Sequence, residues 1–462
     1  MHCVGKRESR SGGLTIFDVT FDPRKVTRRD CLRLGGLAVG GLTLSNLFRA
    51  SACAATPSVA PPNAVIMVYL PGGPSHIDMY DLKPDAPSEY RGEFKPIRTN
   101  VPGMDICELM PRQAKLAHLF SIVRGLQTHG NHDPTELLTG IPAEASGKIG
   151  SVRRPAFGSV VSKLRNEVGP IPPYISTSNH KLLTSYDDPE EPAYLGPAHR
   201  PFSAIGEVVK DAALLPGIPV QRFDDRRKLL TSFDRLPQEL ERAGAFGGND
   251  AYTARALEMI TSTKIRDALD LDRESPQAKD RYGPQGLDFL RARRLVEAGV
   301  SVVSVAARFS VKVPGINDPG GWDTHAHNFK LLRAKLPIYD LAVAALLTDL
   351  NDRGMLERTA VVIWGEFGRQ PKIGDVTPDG RGHWGQAGFA FLAGGGLKGG
   401  QVVGETDSRG EKARFKPIHT SQVLATLYHT LDIAPGKVTF PDYGGRPQFL
   451  LDQPEPIRAL VG

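Results

Sequence analysis

Apolar residues along the chain fall into two patterns. Short continuous runs bounded by glycine or proline predict strands buried on both faces: Ala64–Leu70, Leu119–Val123, Gly299–Ala307, Thr359–Trp364 and Phe389–Ala393. Tyr174–Ser176 is a further strand candidate. Other stretches repeat apolar residues at helical spacing. Leu331–Leu350 carries Leu336, Ala342, Leu346 and Leu350 on one stripe, with Pro337 as a candidate kink. Glu241–Ala298 reads as largely helical, with Leu257, Met259, Ile260, Leu269 and Leu271 as its stripe. Strand and helix alternate, which predicts an α/β fold with a mostly parallel sheet.

Polar clusters follow several of these strands, and in open α/β sheets the loops at the carboxyl edge carry the site. After the first run comes Gly72-Gly73-Pro74-Ser75-His76-Ile77-Asp78, where Ser75 is a candidate nucleophile and His76 and Asp78 are candidate ligands. After the second comes Thr128-His129-Gly130-Asn131-His132-Asp133, which adds His129 and His132 as ligand candidates and Thr128 as a nucleophile candidate. Gly320–Asn328 (GGWDTHAHN) places Asp323, His325 and His327 within five residues. One carboxylate and two imidazoles so close can converge on a divalent cation. In a helical turn Asp323 and His327 share a face; in an extended segment all three do. The bland alternative is a solvated loop whose Asp caps the next helix. Glu366 and Arg369 follow Thr359–Trp364, and His383 precedes the last run. Arg369 can hold an anion through its fork or simply pair with an acid. The three glycines Gly394–Gly396 with Lys398 lack the spacing of a phosphate-binding loop and read as a turn.

Composition narrows the class. The chain has 462 residues, 40% hydrophobic and 23% charged, as expected of a globular protein with a substantial core. Its net charge of +6 is concentrated in residues 1–54, which contribute +5. The remainder is close to neutral, so no basic field points to nucleic acid. Arg28-Arg29 precede the glycine-diluted apolar run Leu34–Phe48 and the small residues Ala50–Ala54. This resembles a twin-arginine signal, with cleavage near Ala54 and a Pro-rich linker over 55–63. The run is too short to span a bilayer, so no membrane span is expected after processing. Export by the machinery for folded proteins to the periplasm or beyond is the corresponding expectation. Cys53 lacks the usual preceding residue for lipidation, and only Cys107 remains in the processed chain, which leaves no disulfide framework.

GGPSHID, THGNHD, LLTG, GGWDTHAHN, VVIWGEFGR, GRGHWG and AGGGLKGG, taken in this order, resemble a family of exported bacterial proteins of unknown function in the alkaline phosphatase–sulfatase superfamily. The resemblance spans roughly residues 60–450. It implies an alkaline-phosphatase-like three-layer sandwich over 64–462, with a mostly parallel central sheet and helices on both faces. It also implies one or two divalent cations, zinc first, with manganese or calcium as alternatives. Asp323, His327 and His383 would hold the main ion. Glu366 and His325 would serve a second ion or its surroundings, with the Ser75–Asp78 or His129–Asp133 loop. The implied activity is metal-activated hydrolysis of a phosphate or sulfate ester in a small or polymeric anionic substrate. Departures are visible. Pro71-Gly72 replaces the usual strand-end aspartate, Phe367 a histidine, and Gly382 an acid. The segment before Leu138-Thr139-Gly140 lacks the C-x-P-S-R needed for formylglycine. They leave open a second reading, a non-catalytic binding or scaffold protein on the same fold.

Overall fold

A computed structural model describes residues 15–16, 19–20, 63–142, 153–165, 171–177, 189–204, 263–318 and 320–462. The arginine pair of the leader, its apolar run and the linker up to Pro62 lie outside the described residues, as do Leu257, Met259 and Ile260. The chain divides into two compact units, Met1–Pro61 and Pro62–Gly462. In the first, Thr15–Ile16 pairs antiparallel with Val19–Thr20. No described helix is long and apolar enough to cross a membrane.

The second unit is built on eight strands: β1 (Ala64–Tyr69), β2 (Phe120–Arg124), β3 (Tyr174–Ser176), β4 (Phe202–Ser203), β5 (Val302–Ala306), β6 (Thr359–Trp364), β7 (Phe389–Ala393) and β8 (Gln401–Val403). Their spatial order is β8-β2-β7-β6-β1-β5-β3-β4. β7 runs antiparallel to both its neighbours, and every other pairing is parallel. β1 lies at the centre and is buried along its whole length. Its residues alternate between two cores: Ala64, Ile66 and Val68 face one, and Val65, Met67 and Tyr69 face the other. That alternation is what a continuous apolar run becomes when both sheet faces are covered.

The first core is closed by α2 (Leu287–Glu297) and α3 (Asn328–Asp352). The second is closed by α1 (Phe157–Leu164) and α4 (Thr420–Thr430). Helices therefore cover both faces of a mostly parallel sheet, the three-layer arrangement expected. α3 continues through Pro337, which stands inside the helix. Of the long helical stretch expected upstream, the described part holds Thr263–Leu269, Pro276–Tyr282 and α2.

Register aligns the sheet's carboxyl edge. Tyr69 pairs with Ala306 on one side and Trp364 on the other, so β1, β5 and β6 end together. The loops that follow them start from one edge.

Candidate metal centre

The loop after β1 and the approach to Asp323 are packed backbone on backbone. Trp322 donates its amide to the Pro71 carbonyl at 2.7 Å. Gly72 has φ +98°, and a Cβ there would lie 2.6 Å from the Asp323 nitrogen. Only glycine permits both the left-handed backbone and this approach. Residues 320–327 are neither the helical turn nor the extended segment considered for them. They form a bent loop that ends at His327, whose φ of +55° precedes α3. The bend separates the side chains: Asp323 and His325 turn one way, and His327 turns to Asp379, with its Nδ1 3.5 Å from Oδ1.

His383 is placed by a small ribbon. Beyond β6 the chain runs out through Gly368–Arg369, and His383–Trp384 returns antiparallel to it, pairing His383 with Arg369 before entering β7. His132 comes from the far side. After β2, Leu126 donates to Gly388 O and Thr128 to Gly385 O, which lays the start of the His132 loop along the segment that follows His383.

One ligand atom each from His132, Asp323, His325 and His383 then falls within 4.8 Å of all the others. Asp323 is the hub. Its Oδ1 lies 3.1 Å from His325 Nε2 and 3.4 Å from His383 Nε2, and its Oδ2 lies 3.3 Å from His132 Nε2. His383 Nε2 is buried and makes no hydrogen bond. The Phe367 ring lies tilted against the His383 ring, with centroids 4.2 Å apart, and meets His132 edge-on, closing one side.

Electrostatics bind the group together. Hydrogen bonds that the His132 ring donates to Asp323 and then to Glu366 push its imidazolium up to about 9, against the opposing effect of burial. Burial pushes Asp323 up, but His132, His383 and Arg369 together hold its carboxyl well below the usual range. A carboxylate held in its ionised form and ringed by three imidazoles is a set of groups that could hold a divalent cation.

Several expected site residues are committed elsewhere. His327 is not in the gathered group, because the bend turns it away. Arg369 was a candidate for binding substrate. It is fully buried instead, donating from Nη2 to Asp323 and Gly72 O, from Nε to Gly73 O at 2.9 Å and from Nη1 to Arg381 O at 3.0 Å. Glu366 also lies outside the four: it accepts the Gly72 amide at 2.7 Å and the Gly73 amide at 3.3 Å, and faces His132 Nδ1 at 3.4 Å. Ser75 is no free nucleophile, since its hydroxyl donates to Asp78 at 2.6 Å. The Asp78 carboxylate is held by Arg381 and Asn328 and does not join the gathered group. His76 is buried with Nε2 2.8 Å from Gly410 O. His129 donates its amide to Glu136, and its ring is not in the cluster. Thr128 Oγ1 is buried without a hydrogen bond, beside the loop that carries His383. Sequence reasoning missed Asp375, which hydrogen-bonds His325 Nδ1, and Asp379 beside His327. Both sit in a turn-rich run after β6 whose composition signals only a loop.

Three solved structures match much of the chain at low identity. Ps i-CgsB in complex with k-i-k-neocarrahexaose is 14% identical, with 80% of this chain and 72% of that chain covered and a TM-score of 0.37. The phosphonate monoester hydrolase SpPMH from Silicibacter pomeroyi is 12% identical over 81% and 74%, with a TM-score of 0.35. The PsFucS1 sulfatase from Pseudoalteromonas sp. is 11% identical over 84% and 70%, with a TM-score of 0.33. No curated protein matches the chain. Residues 62–461 match the family described as Protein of unknown function (DUF1501), and the chain belongs to that family.

Proposed function

We infer that the protein is a metal-dependent hydrolase of phosphate or sulfate esters, exported by the twin-arginine route and acting on an anionic ester outside the cytoplasm. The observation that carries this reading is the convergence of the His132, His325 and His383 Nε2 atoms, at 3.1–3.4 Å, on the Asp323 carboxylate. Four such groups suit zinc first, with the Phe367 ring in place of a further nitrogen ligand at the β6 end. A divalent cation held there would act as a Lewis acid on an ester oxygen and make water a nucleophile near neutral pH. The protein's own part is positional. Arg369 fixes Asp323, Glu366 ties the β1 loop to His132, and Phe367 walls the group on one side. Ser75 is tied to Asp78, so attack by water fits this site better than attack by that hydroxyl.

One observation favours a second reading, a non-catalytic binding or scaffold protein on the same fold with a degraded metal site. The donors of Arg369, the arginine nearest the strand-end acid in sequence, end on Asp323 and backbone carbonyls rather than toward a ligand. Elemental analysis of the purified protein, followed by a phosphate- and sulfate-ester screen with the loaded form, separates the two. Stoichiometric metal with turnover supports the hydrolase. Metal without turnover on any ester class supports the binding protein. A folded protein that takes up no metal after reconstitution overturns the hydrolase and leaves the binding or scaffold protein standing.

A further inference from the structure

His132 and His325 reach Asp323 from different loops yet share one arrangement. In each ring Nε2 faces the Asp323 carboxylate, while Nδ1 faces a second carboxylate. For His132 the second group is Glu366, with Oε1 at 3.4 Å; for His325 it is Asp375, in direct hydrogen-bond contact. A neutral imidazole has one N–H and one lone pair, and an ionised carboxylate can only accept. In the neutral ring that a cation requires, a proton on Nδ1 therefore satisfies Glu366 or Asp375 and leaves the lone pair on Nε2, the atom beside Asp323.

We propose that Glu366 and Asp375 are positioning residues that hold His132 and His325 in the Nδ1–H tautomer and so present both Nε2 lone pairs to one cation beside Asp323. The proposal rests on the reading of this site as a cation centre. Its two carboxylates are mounted differently. Glu366 is buried and is fixed by the Gly72 and Gly73 amides, so it belongs to the sheet edge. Asp375 lies on the turn after β6 with its side chain 32% exposed, and its contact is with His325. Ring orientation at His132 is thus built into the fold, whereas at His325 it hangs on one removable side chain. Such partners raise ligand basicity and fix the ring, and their loss typically weakens metal binding.

The test is zinc titration of the full-length, cation-stripped protein against a chromophoric chelator. Asp375→Ala should weaken zinc binding roughly 10- to 100-fold. Asp375→Asn should lose less, because the amide oxygen still accepts the Nδ1 proton, and Asp375→Glu should restore part of the loss. The thermal midpoint of the cation-free protein should be the same for wild type and Asp375→Ala, which a merely structural role would not give. In the zinc-loaded wild type, long-range 1H–15N spectra should show His325 protonated at Nδ1. A wild type that binds zinc while Asp375→Ala binds it equally tightly overturns the proposal and leaves the cation centre standing. So does coordination of His325 through Nδ1. A wild type that takes up no zinc overturns the cation centre itself, and the proposal with it.

Discussion

Arg381 and Asp78 meet in a two-point ion pair, Nε to Oδ2 at 2.8 Å and Nη2 to Oδ1 at 3.0 Å, with both side chains withdrawn from solvent. Asn328 and Ser75 add hydrogen bonds to the same carboxylate. The pair ties the loop after β1 to the segment that carries His383 and to the start of α3. Removing one partner strands a buried charge, so Asp78→Ala and Arg381→Met should each cost about 3–5 kcal/mol. The double variant should be little worse than either alone. Denaturant unfolding of the three variants measures this, and additive losses would show that the two residues are not coupled.

Ligand identity gives a sharper test than ligand presence. His132→Ala, Asp323→Ala and His383→Ala should each weaken cation binding more than the roughly 10- to 100-fold typical of an orienting partner. His327→Asn should retain the ion, since asparagine accepts the left-handed backbone at that position and His327 stands outside the group. Stoichiometry by elemental analysis should be one ion per chain. Loss of the ion in the His327 variant would restore the Asp323–His327 pairing implied by resemblance.

The acid limb of stability should be set in part by a cluster remote from the site. Arg293 is fully buried and contacts Glu274 at 2.6 Å and Asp349 at 2.9 Å, together with Glu297. Burial pushes Asp349 up, but Arg353, Arg293 and Tyr282 outweigh it and leave it lowered; Glu274 is lowered likewise by Arg293 and Arg294. A carboxyl lowered in the folded state binds fewer protons than in the unfolded chain. Its contribution is complete above the unfolded value and is lost as pH falls through the folded one. Unfolding free energy should therefore decline below roughly pH 4, a carboxyl's ordinary range. Asp349→Asn should show a shallower decline.

Cys107 is buried, and burial pushes its thiol up to about 12. The thiolate is the reactive form. Under native conditions Cys107→Ser and wild type should titrate the same number of fast thiols with a disulfide reagent, and should differ by one after denaturation.

Legibility followed locality. Thr359–Trp364 and Phe389–Ala393 coincide with β6 and β7, because a run buried on both faces declares itself residue by residue. Asp323 and His383 were visible as polar residues at strand-end loops. His327 was drawn in by its spacing from Asp323, which matters only in regular backbone, and the chain there is bent. Asp78 looked like a ligand because its neutralising partner stands 303 residues away. His132 was grouped with a second ion because nothing local reveals that its loop lies along Gly385–Gly388. Asp375 gave no signal, since an acid in a turn is ordinary until the imidazole opposite it is known.

His132 and Asp323 are separated by about 190 residues of chain, and they meet only because β2 and β5 end on the same side of one sheet. An unfolded chain offers a cation no preformed pair from these two segments, and closing a loop of that length costs entropy that one ion–ligand contact does not repay. The strands must pair first, and parallel pairing across long connections is slow. Any cation held at this site would accordingly be captured late in assembly, and its binding would report that the whole edge, from the first strand's loop to the reversed strand, has closed.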